Sequence, residues 1–118
     1  MNHRKTGSAK EEQAARYLKQ QGYQILERNY YTRAGELDIV CRSPEGTLVA
    51  CEVKYRSSTA YGDPLEAVDW KKRQHMLRAF RLYLLQHGGL EQEARFDVIA
   101  IYGNGHLQHL ENAFGEGG

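Results

Sequence analysis

The sequence lacks any long apolar run and any strong excess of one charge. No stretch approaches the roughly 20 apolar residues that a membrane-spanning helix requires, and the amino-terminal M-N-H-R-K-T-G-S holds no apolar signal segment. The formal net charge is only +1, so a nucleic-acid partner would have to be bound through local basic clusters. We expect a cytoplasmic protein with no membrane association.

Cysteine is scarce too, and several catalytic signatures are absent. Cys41 and Cys51 are the two cysteines, and they are predicted to be buried thiols of a reducing compartment, not a disulfide or a zinc pair. There is no glycine-rich phosphate loop, no internal repeat and no nucleophile elbow around a serine. His106 and His109 have no third ligand nearby in sequence, so we interpret them as surface residues.

What remains is a chain of 118 residues with 41% hydrophobic and 26% charged residues. These values are ordinary for a globular protein of one domain. We expect a single domain over residues 1–118 with an ordered core over about residues 8–114.

The central feature is a ribbon over residues 35–56, G-E-L-D-I-V-C-R-S-P-E-G-T-L-V-A-C-E-V-K-Y-R. Apolar residues alternate with polar ones over 37–41 and again over 49–53, which is the period of a strand. Residues 43–46, Ser-Pro-Glu-Gly, supply the turn chemistry between the two halves. The pattern predicts an antiparallel pair with both apolar sets on one face.

A turn centred near Glu45 puts Asp38 opposite Glu52, and Glu36 opposite Lys54, on the other face. Opposed Cβ atoms lie roughly 5 Å apart, where two like charges repel by about 3 kcal/mol at an effective dielectric near 20. Either Lys54 offsets this repulsion or a divalent cation does, since paired carboxylates suit such an ion. The plainer interpretation is a solvated polar face with an ion pair between Glu36 and Lys54.

A helix is predicted before the ribbon, from a capping box at Ser8 and Glu11 to a stop at Gly22. Glu11 shares a stripe with the helix's alanines, so it projects toward the body of the protein. Capping alone also explains Glu11. A first strand is expected over residues 23–31.

After the ribbon, Asp63 and Pro64 predict the start of a second helix that runs to about Gln86. Lys72 falls on the buried line of this helix, where it either snorkels or aims its ammonium at a phosphate. The basic run over residues 71–81 is either a solvated helix face or a phosphate contact. A buried strand is expected over 96–101, followed by a short edge strand over 106–110.

Asp38 followed by Glu52-Val53-Lys54 resembles the D…(D/E)-x-K signature of the PD-(D/E)XK nuclease superfamily. The predicted order of elements matches the restriction-endonuclease-like αβββαβ core of that superfamily. This is an α/β fold with a mixed central sheet flanked by helices. One departure is Glu36, which precedes Leu37-Asp38 where many such nucleases have a Pro-Asp pair. The departure matters little because the proline is not a ligand.

The whole chain resembles the YraN family of uncharacterised bacterial proteins, whose fold looks like that of the archaeal Holliday-junction resolvases. The resemblance covers about residues 5–115. It is carried by K-E-E-Q-A-A-R-Y-L (10–18), G-Y-Q-I-L-E-R-N (22–29), G-E-L-D-I-V (35–40), E-V-K-Y-R (52–56), G-D-P-L-E-A-V (62–68), R-F-D-V-I-A (95–100) and N-A-F (112–114).

The resemblance implies a nuclease dependent on Mg²⁺ or Mn²⁺. Asp38, Glu52 and the backbone carbonyl of Val53 would hold one ion, with waters completing its shell. Glu11 would reach the metal through water or help to bind a second ion. Lys54 would orient the attacking water and oppose the developing charge.

The implied substrate is DNA in preference to RNA, including branched or junction structures, cut by a monomer or a homodimer. Arg56 and Lys72 would hold the scissile strand by its phosphates, which positions it without reading sequence. No aromatic stacking platform is evident, so recognition by nucleic-acid shape is expected. Two alternatives stay open, a nuclease-like fold that binds nucleic acid without cutting it and a protein-interaction module.

Overall fold

The computed structural model describes residues 5–57, 66 and 68–115. The elements of the described chain are α1 (Lys5–Gln20), β1 (Gln24–Thr32), β2 (Gly35–Arg42), β3 (Leu48–Arg56), α2 (Trp70–Gln86), β4 (Ala94–Tyr102) and β5 (Leu107–Phe114). The strands form one sheet in the order β1-β2-β3-β4-β5. Neighbouring strands are antiparallel except for the parallel pair β3 and β4. The predicted αβββαβ order and mixed sheet are confirmed, and β5 is longer than the short edge strand we expected.

The helices cover opposite faces of the sheet, because each packs on a separate apolar cluster. α1 lies on the face where β3 presents Val49 and Cys51, and α2 lies on the face of Leu48 and Ala50. β4 is buried on both faces over residues 96–102, close to the predicted 96–101. Within the described residues, neither helix combines the length and hydropathy that crossing a bilayer requires.

α1 ends where the sequence predicted, because Gly22 adopts a backbone φ of +92° that favours glycine. The amide of Tyr23 donates to the carbonyl of Leu18 at 2.9 Å, and that of Gly22 donates to Lys19 at 3.0 Å. These two bonds form a Schellman motif. Leu18 and Tyr23 also belong to the same buried cluster, which fixes the exit of the chain toward β1.

The predicted start of α1 is wrong. The helix begins at Lys5, so Ser8 lies inside it and cannot be its N-cap. Glu11 is therefore not a capping residue of the first turn. Its 4% exposure follows instead from its place on the buried stripe with Ala14 and Ala15, as the second half of the prediction stated.

α2 begins later than predicted. Its N-cap is Asp69, whose side chain accepts a hydrogen bond from the amide of Lys72 at 2.8 Å. The predicted start at Asp63 and Pro64 lies outside the described residues. Val68 is buried as predicted, although it precedes the helix and does not belong to it. The helix ends at Gln86 with His87 as its C-cap, as expected.

Replacing Asp69 by alanine should lower the free energy of unfolding by about 1 kcal/mol, because the Lys72 amide loses its acceptor. Urea unfolding followed by circular dichroism measures the change. Asp69→Asn is the matched control and should stay near the wild type, since asparagine caps as well as aspartate. Equal losses in both variants would contradict the assignment of the cap.

The register of the ribbon is confirmed at the described pairs, among them Ile39 with Cys51 and Cys41 with Val49. Cys41 and Cys51 are buried free thiols, as predicted. The predicted apolar face is wrong at Leu37, which packs on the α2 side although Ile39 packs on the α1 side. Residues two apart in a regular strand lie on the same face. The regular alternation of β2 therefore breaks between Leu37 and Ile39.

A residue of β1 with an unusual backbone lies beside this break. Asn29 has a left-handed backbone with φ of 54°, and it lies beside Asp38 between the pairs Arg28–Ile39 and Tyr30–Leu37. The side chain of asparagine tolerates this conformation better than most. The regular strand geometry is interrupted at this point, and Asp38 is the β2 residue beside the interruption.

Candidate functional site

The candidate site lies where β2 and β3 separate. The pairing of the two strands ends at Ile39 and Cys51. Beyond that pair, the backbone amide of Val53 in β3 donates a hydrogen bond of 2.9 Å to the Asp38 carboxylate in β2. Because the N–H and C=O of one strand residue point to the same neighbour, the Val53 carbonyl faces this gap as well. Asp38 is 6% exposed. The predicted partners Asp38 and Glu52 are thus beyond the last paired position, at the mouth of the gap.

Glu52 is the most unusual charged group of the site. It is 2% exposed, and its Oε2 lies 3.3 Å from the Lys54 ammonium and 3.7 Å from that of Lys72. Its Oε1 is buried and accepts no hydrogen bond from the described residues. Burial, together with the neighbouring Asp38 carboxylate, raises the pKa of Glu52 to about 7 despite the two lysines.

Glu11 and Glu36 add carboxylates from other directions. Glu52 belongs to the α2 side of β3, whereas Glu11 comes from α1 on the opposite face. Glu11 Oε1 and Glu36 Oε2 are buried atoms that accept no hydrogen bond within the described chain, although both residues make other polar or electrostatic contacts. Glu11 and Glu52 therefore approach from opposite faces of the sheet.

The cations of the site have separate positions. Lys54 and Lys72 have side chains that are 36% and 34% exposed, and both ammoniums are directed at Glu52. The Lys72 ammonium lies at the Glu52 carboxylate, and its contact with a phosphate stays a prediction. Arg56 is exposed at the end of β3. Further along α2, Arg78 and Arg81 are exposed, as on a solvated face.

Within the described residues, no group of three or more histidine, cysteine or carboxylate side chains is arranged to hold a metal ion. What the gap offers is a smaller set, namely two buried carboxylates and one backbone carbonyl. Such a set resembles the sites of Mg²⁺, which keeps several of its waters and takes one or two carboxylates from the protein.

A second buried polar cluster, which the sequence did not predict, lies on the α1 side of β4, where Asp97 pairs with Cys51 of β3. Asp97 is fully buried, and its carboxylate accepts hydrogen bonds from Arg95 at 3.0 Å and from the Asn112 amide at 3.0 Å. His109 Nε2 lies 2.8 Å from it, and His109 Nδ1 lies 2.9 Å from the Tyr17 hydroxyl.

The interpretation of His109 as a surface residue is therefore wrong. Its side chain is 6% exposed, because β5 is long enough to place it against Asp97 and α1. His106 is exposed, as expected. The signal that could have revealed the cluster is Asp97 itself, a charged residue inside an otherwise apolar strand, which needs partners if it is buried.

The model of the uncharacterised protein family UPF0102 matches residues 10–101 of the chain. The chain belongs to this family. The match includes every candidate site residue, from Glu11 to Lys72. The family description states no activity, so membership identifies the relatives and leaves the chemistry to be argued from the site.

Three UPF0102 proteins illustrate the relationship. The one from Persephonella marina is 41% identical, with 92% of this chain and 91% of the relative covered. Those from Pelobacter propionicus and Syntrophomonas wolfei are 45% and 44% identical, covering 96% and 94% of this chain and 84% and 98% of the relatives. These UPF0102 relatives are therefore similar over nearly their whole length.

Among solved structures, the chain is similar to one in an EndoMS-dsDNA2 complex. The TM-score is 0.41 and the sequence identity is 23%, with 77% of this chain covered. The UPF0102 chain spans 33% of the length of that chain.

Proposed function

We propose that the protein is a metal-dependent phosphodiesterase that cuts nucleic acid, with Asp38 and Glu52 as the metal ligands. The observation that carries the proposal is the buried Glu52 carboxylate, whose Oε1 accepts no hydrogen bond from the described residues and which adjoins Asp38. Keeping two neighbouring carboxylates ionised in a buried gap costs free energy. A divalent cation bound between them offsets that cost, which the lysines alone do not, since the pKa of Glu52 stays high.

The residues present fit Mg²⁺ or Mn²⁺. Asp38, Glu52 and the Val53 carbonyl would hold the ion, and Glu11 would support it through water or help to bind a second ion. A bound cation neutralises charge on the phosphoryl oxygens and lowers the pKa of a coordinated water.

The lysines and Arg56 complete the proposed site. Lys54 lies within 3.3 Å of Glu52, so its ammonium can orient an attacking water and oppose the negative charge that develops at phosphorus. Lys72 reaches the same carboxylate from α2 and can donate to a phosphate of the bound strand. Arg56, exposed at the end of β3, extends this contact along the backbone, which fixes position without reading sequence. The proposed substrate is DNA, including branched structures.

Incubating the protein with Mn²⁺ or Mg²⁺ and a panel of branched, single-stranded and duplex DNA tests the proposal. We expect cleavage products that disappear with a chelator. Asp38→Asn should cut at least about a hundred-fold more slowly, since the stabilisation of the transition-state charge is weakened. Glu12→Gln is the matched control, because Glu12 is an exposed acid of α1 that pairs with Arg28 at the surface. It should cut at the wild-type rate.

Two results would contradict cleavage. One is the absence of products from every substrate, and the other is undiminished cutting by Asp38→Asn. A second candidate function, binding without cutting, is favoured by the lack of a three-residue metal group in the described chain. It predicts that Asp38→Asn binds DNA as well as or better than the wild type, because one charge that repels phosphate is gone.

A further inference from the structure

The charge of α2 is one-sided. The helix carries five lysine and arginine side chains and no carboxylate. A helix face that only meets water is typically a mixture of acids and bases, because opposite charges three or four residues apart stabilise it. The whole chain has a net charge of only +1, so the residues outside α2 are negative in sum. Positive charge is therefore concentrated on this one helix, which argues for an anionic partner.

One stripe of α2 holds two of these cations. A helix turns about 100° per residue, so positions 71, 75, 78 and 82 lie within about 60° of one another around the axis. Lys71 and Arg78 are exposed on this stripe and are about 10 Å apart along the helix. His75 and Leu82, on the same stripe, are half-buried, so a neighbouring element covers part of it.

That element is the turn between β1 and β2. The Cβ of His75 lies 3.6 Å from the position that a Cβ on Gly35 would take. Leu82 lines the same small cavity as Arg33, which is an exposed residue of the turn. The turn therefore adds a third cation beside the stripe. We call these three residues the basic surface: Arg33, Lys71 and Arg78.

The other two arginines of α2 lie on the opposite flank of the helix. Arg73 donates to the carbonyl of Val68 at 2.9 Å, and its guanidinium lies 5.8 Å from the centre of the Phe114 ring. Arg81 lines a groove together with Phe96 and Phe114. These two arginines thus contact the β4 and β5 side and do not belong to the basic surface.

The basic surface continues into the candidate site along two paths. Lys72 follows Lys71 directly, and its ammonium lies 3.7 Å from Glu52. On the other path, β2 begins at Gly35 beside the stripe and reaches Asp38 after three residues, about 10 Å. No carboxylate of the described residues forms an ion pair with the three cations. Their charge is therefore available to an anion that also reaches the carboxylates.

We propose that the basic surface binds backbone phosphates of the nucleic acid next to the phosphate at Lys72, an inference that rests on the proposed function. A nucleic-acid backbone is a row of single negative charges, which separate cations along a surface can match without reading bases. Continuity with the proposed metal ligands favours this partner over an acidic protein, because only a phosphodiester would use both. Affinity should accordingly reside in α2 and the β1–β2 turn and should depend strongly on salt.

The test measures how salt weakens binding. Labelled duplex DNA is titrated in EDTA, so that nothing is cut, and fluorescence anisotropy gives the affinity between about 50 and 200 mM salt. Each neutralised phosphate contributes a slope of about −0.9 to a plot of log affinity against log salt. The double variant Lys71→Gln with Arg78→Gln should therefore flatten the slope by nearly two and bind about ten-fold or more weakly at the lowest salt. Arg33→Gln should flatten the slope by about one.

The double variant Arg16→Gln with Lys19→Gln is the matched control. It removes the same charge from two exposed cations of α1, the helix on the opposite face of the sheet. It should keep the slope of the wild type, because the lost contacts are local to α2 and the turn.

Three results would overturn the inference. They are an unchanged slope in the α2 double variant, an equal flattening in the α1 control, and the absence of DNA binding by the wild type. The second would mean that total charge alone governs binding. Cleavage is measured separately in Mn²⁺, so a protein that cuts while the α2 variant binds unchanged keeps the proposed function and loses this inference. Binding with the expected slopes but without cleavage would support the inference and contradict cleavage.

Discussion

Replacing Asp97 by alanine should destabilise the protein by about 3–5 kcal/mol, the cost of removing one partner from a buried ion pair. The carboxylate accepts hydrogen bonds from Arg95 and the Asn112 amide, and it is 2.8 Å from His109. Without it, the Arg95 guanidinium, which is only 17% exposed, loses its main partner. Thermal unfolding should show a melting temperature lower by roughly 10–20 °C.

Glu111→Ala is the control for this experiment. Glu111 also lies near Arg95, at 3.7 Å, but its side chain is 61% exposed. An exposed ion pair contributes little, so this variant should melt within about 3 °C of the wild type. If Asp97→Ala melted equally close to the wild type, the cluster would not hold β4, β5 and α1 together.

The stability difference between the wild type and Asp97→Ala should also depend on pH, which gives a second test of the cluster. Burial by itself would raise the pKa of Asp97, but hydrogen bonds from His109 and Arg95 outweigh it and hold the pKa below its usual value. The stabilisation by Asp97 is thus complete above the ordinary aspartate pKa of about 4 and is lost as the pH falls through the lower folded value. The difference in unfolding free energy between the wild type and Asp97→Ala should therefore decrease only in acid, below about pH 4.

The strands and their order along the chain could be predicted from the sequence, because each strand depends on a local pattern. The period of two over residues 35–56 and the Ser-Pro-Glu-Gly turn determine the ribbon and its register without further information. Gly22 ends α1 through a backbone conformation that glycine adopts readily. Signals of this kind lie within a few residues of the structure that they specify.

The errors arose where a distant contact decided the outcome. Leu37 departs from the predicted face beside the left-handed backbone of Asn29 in the neighbouring strand, and no pattern within β2 reveals it. His109 is buried because Asp97 and Tyr17 lie beside it, which a search for a third metal ligand does not detect. The gap at Asp38 lies at the same break in alternation. The sequence therefore predicted that the two acids are near each other but not that the strands separate there.

Replacing Glu52 by glutamine should stabilise the metal-free protein by about 3 kcal/mol at pH 8, an unusual effect for a buried polar residue. The pKa of Glu52 is raised to about 7 from an ordinary 4.5. The folded protein therefore holds this proton more tightly than the unfolded chain does, and stability falls as the pH rises from about 4.5 through 7. A tenfold difference in proton affinity corresponds to about 1.4 kcal/mol, and glutamine removes the ionisation.

Chemical unfolding in EDTA at pH 8 and at pH 4.5 measures this effect. Glu52→Gln should be the more stable protein at the higher pH and close to the wild type at the lower one, where the folded carboxyl is neutral and little of the cost remains. Glu12→Gln, which changes an exposed acid, should track the wild type at both. A destabilised Glu52→Gln at pH 8 would mean that the pairs with Lys54 and Lys72 outweigh the cost of burial.

Mn²⁺ should reverse the order of the two proteins at pH 8. An ion held by Asp38 and Glu52 stabilises the wild type by about 4.1 kcal/mol when its concentration is roughly a thousand times its dissociation constant, which exceeds the deficit of about 3 kcal/mol. Glu52→Gln loses a charged ligand and should gain much less, and calorimetric titration should show the matching loss of affinity. An acidic patch without a cation site predicts the pH effect but no such reversal. The two measurements together therefore separate a carboxylate that is merely buried from one whose burial is balanced by a metal ion.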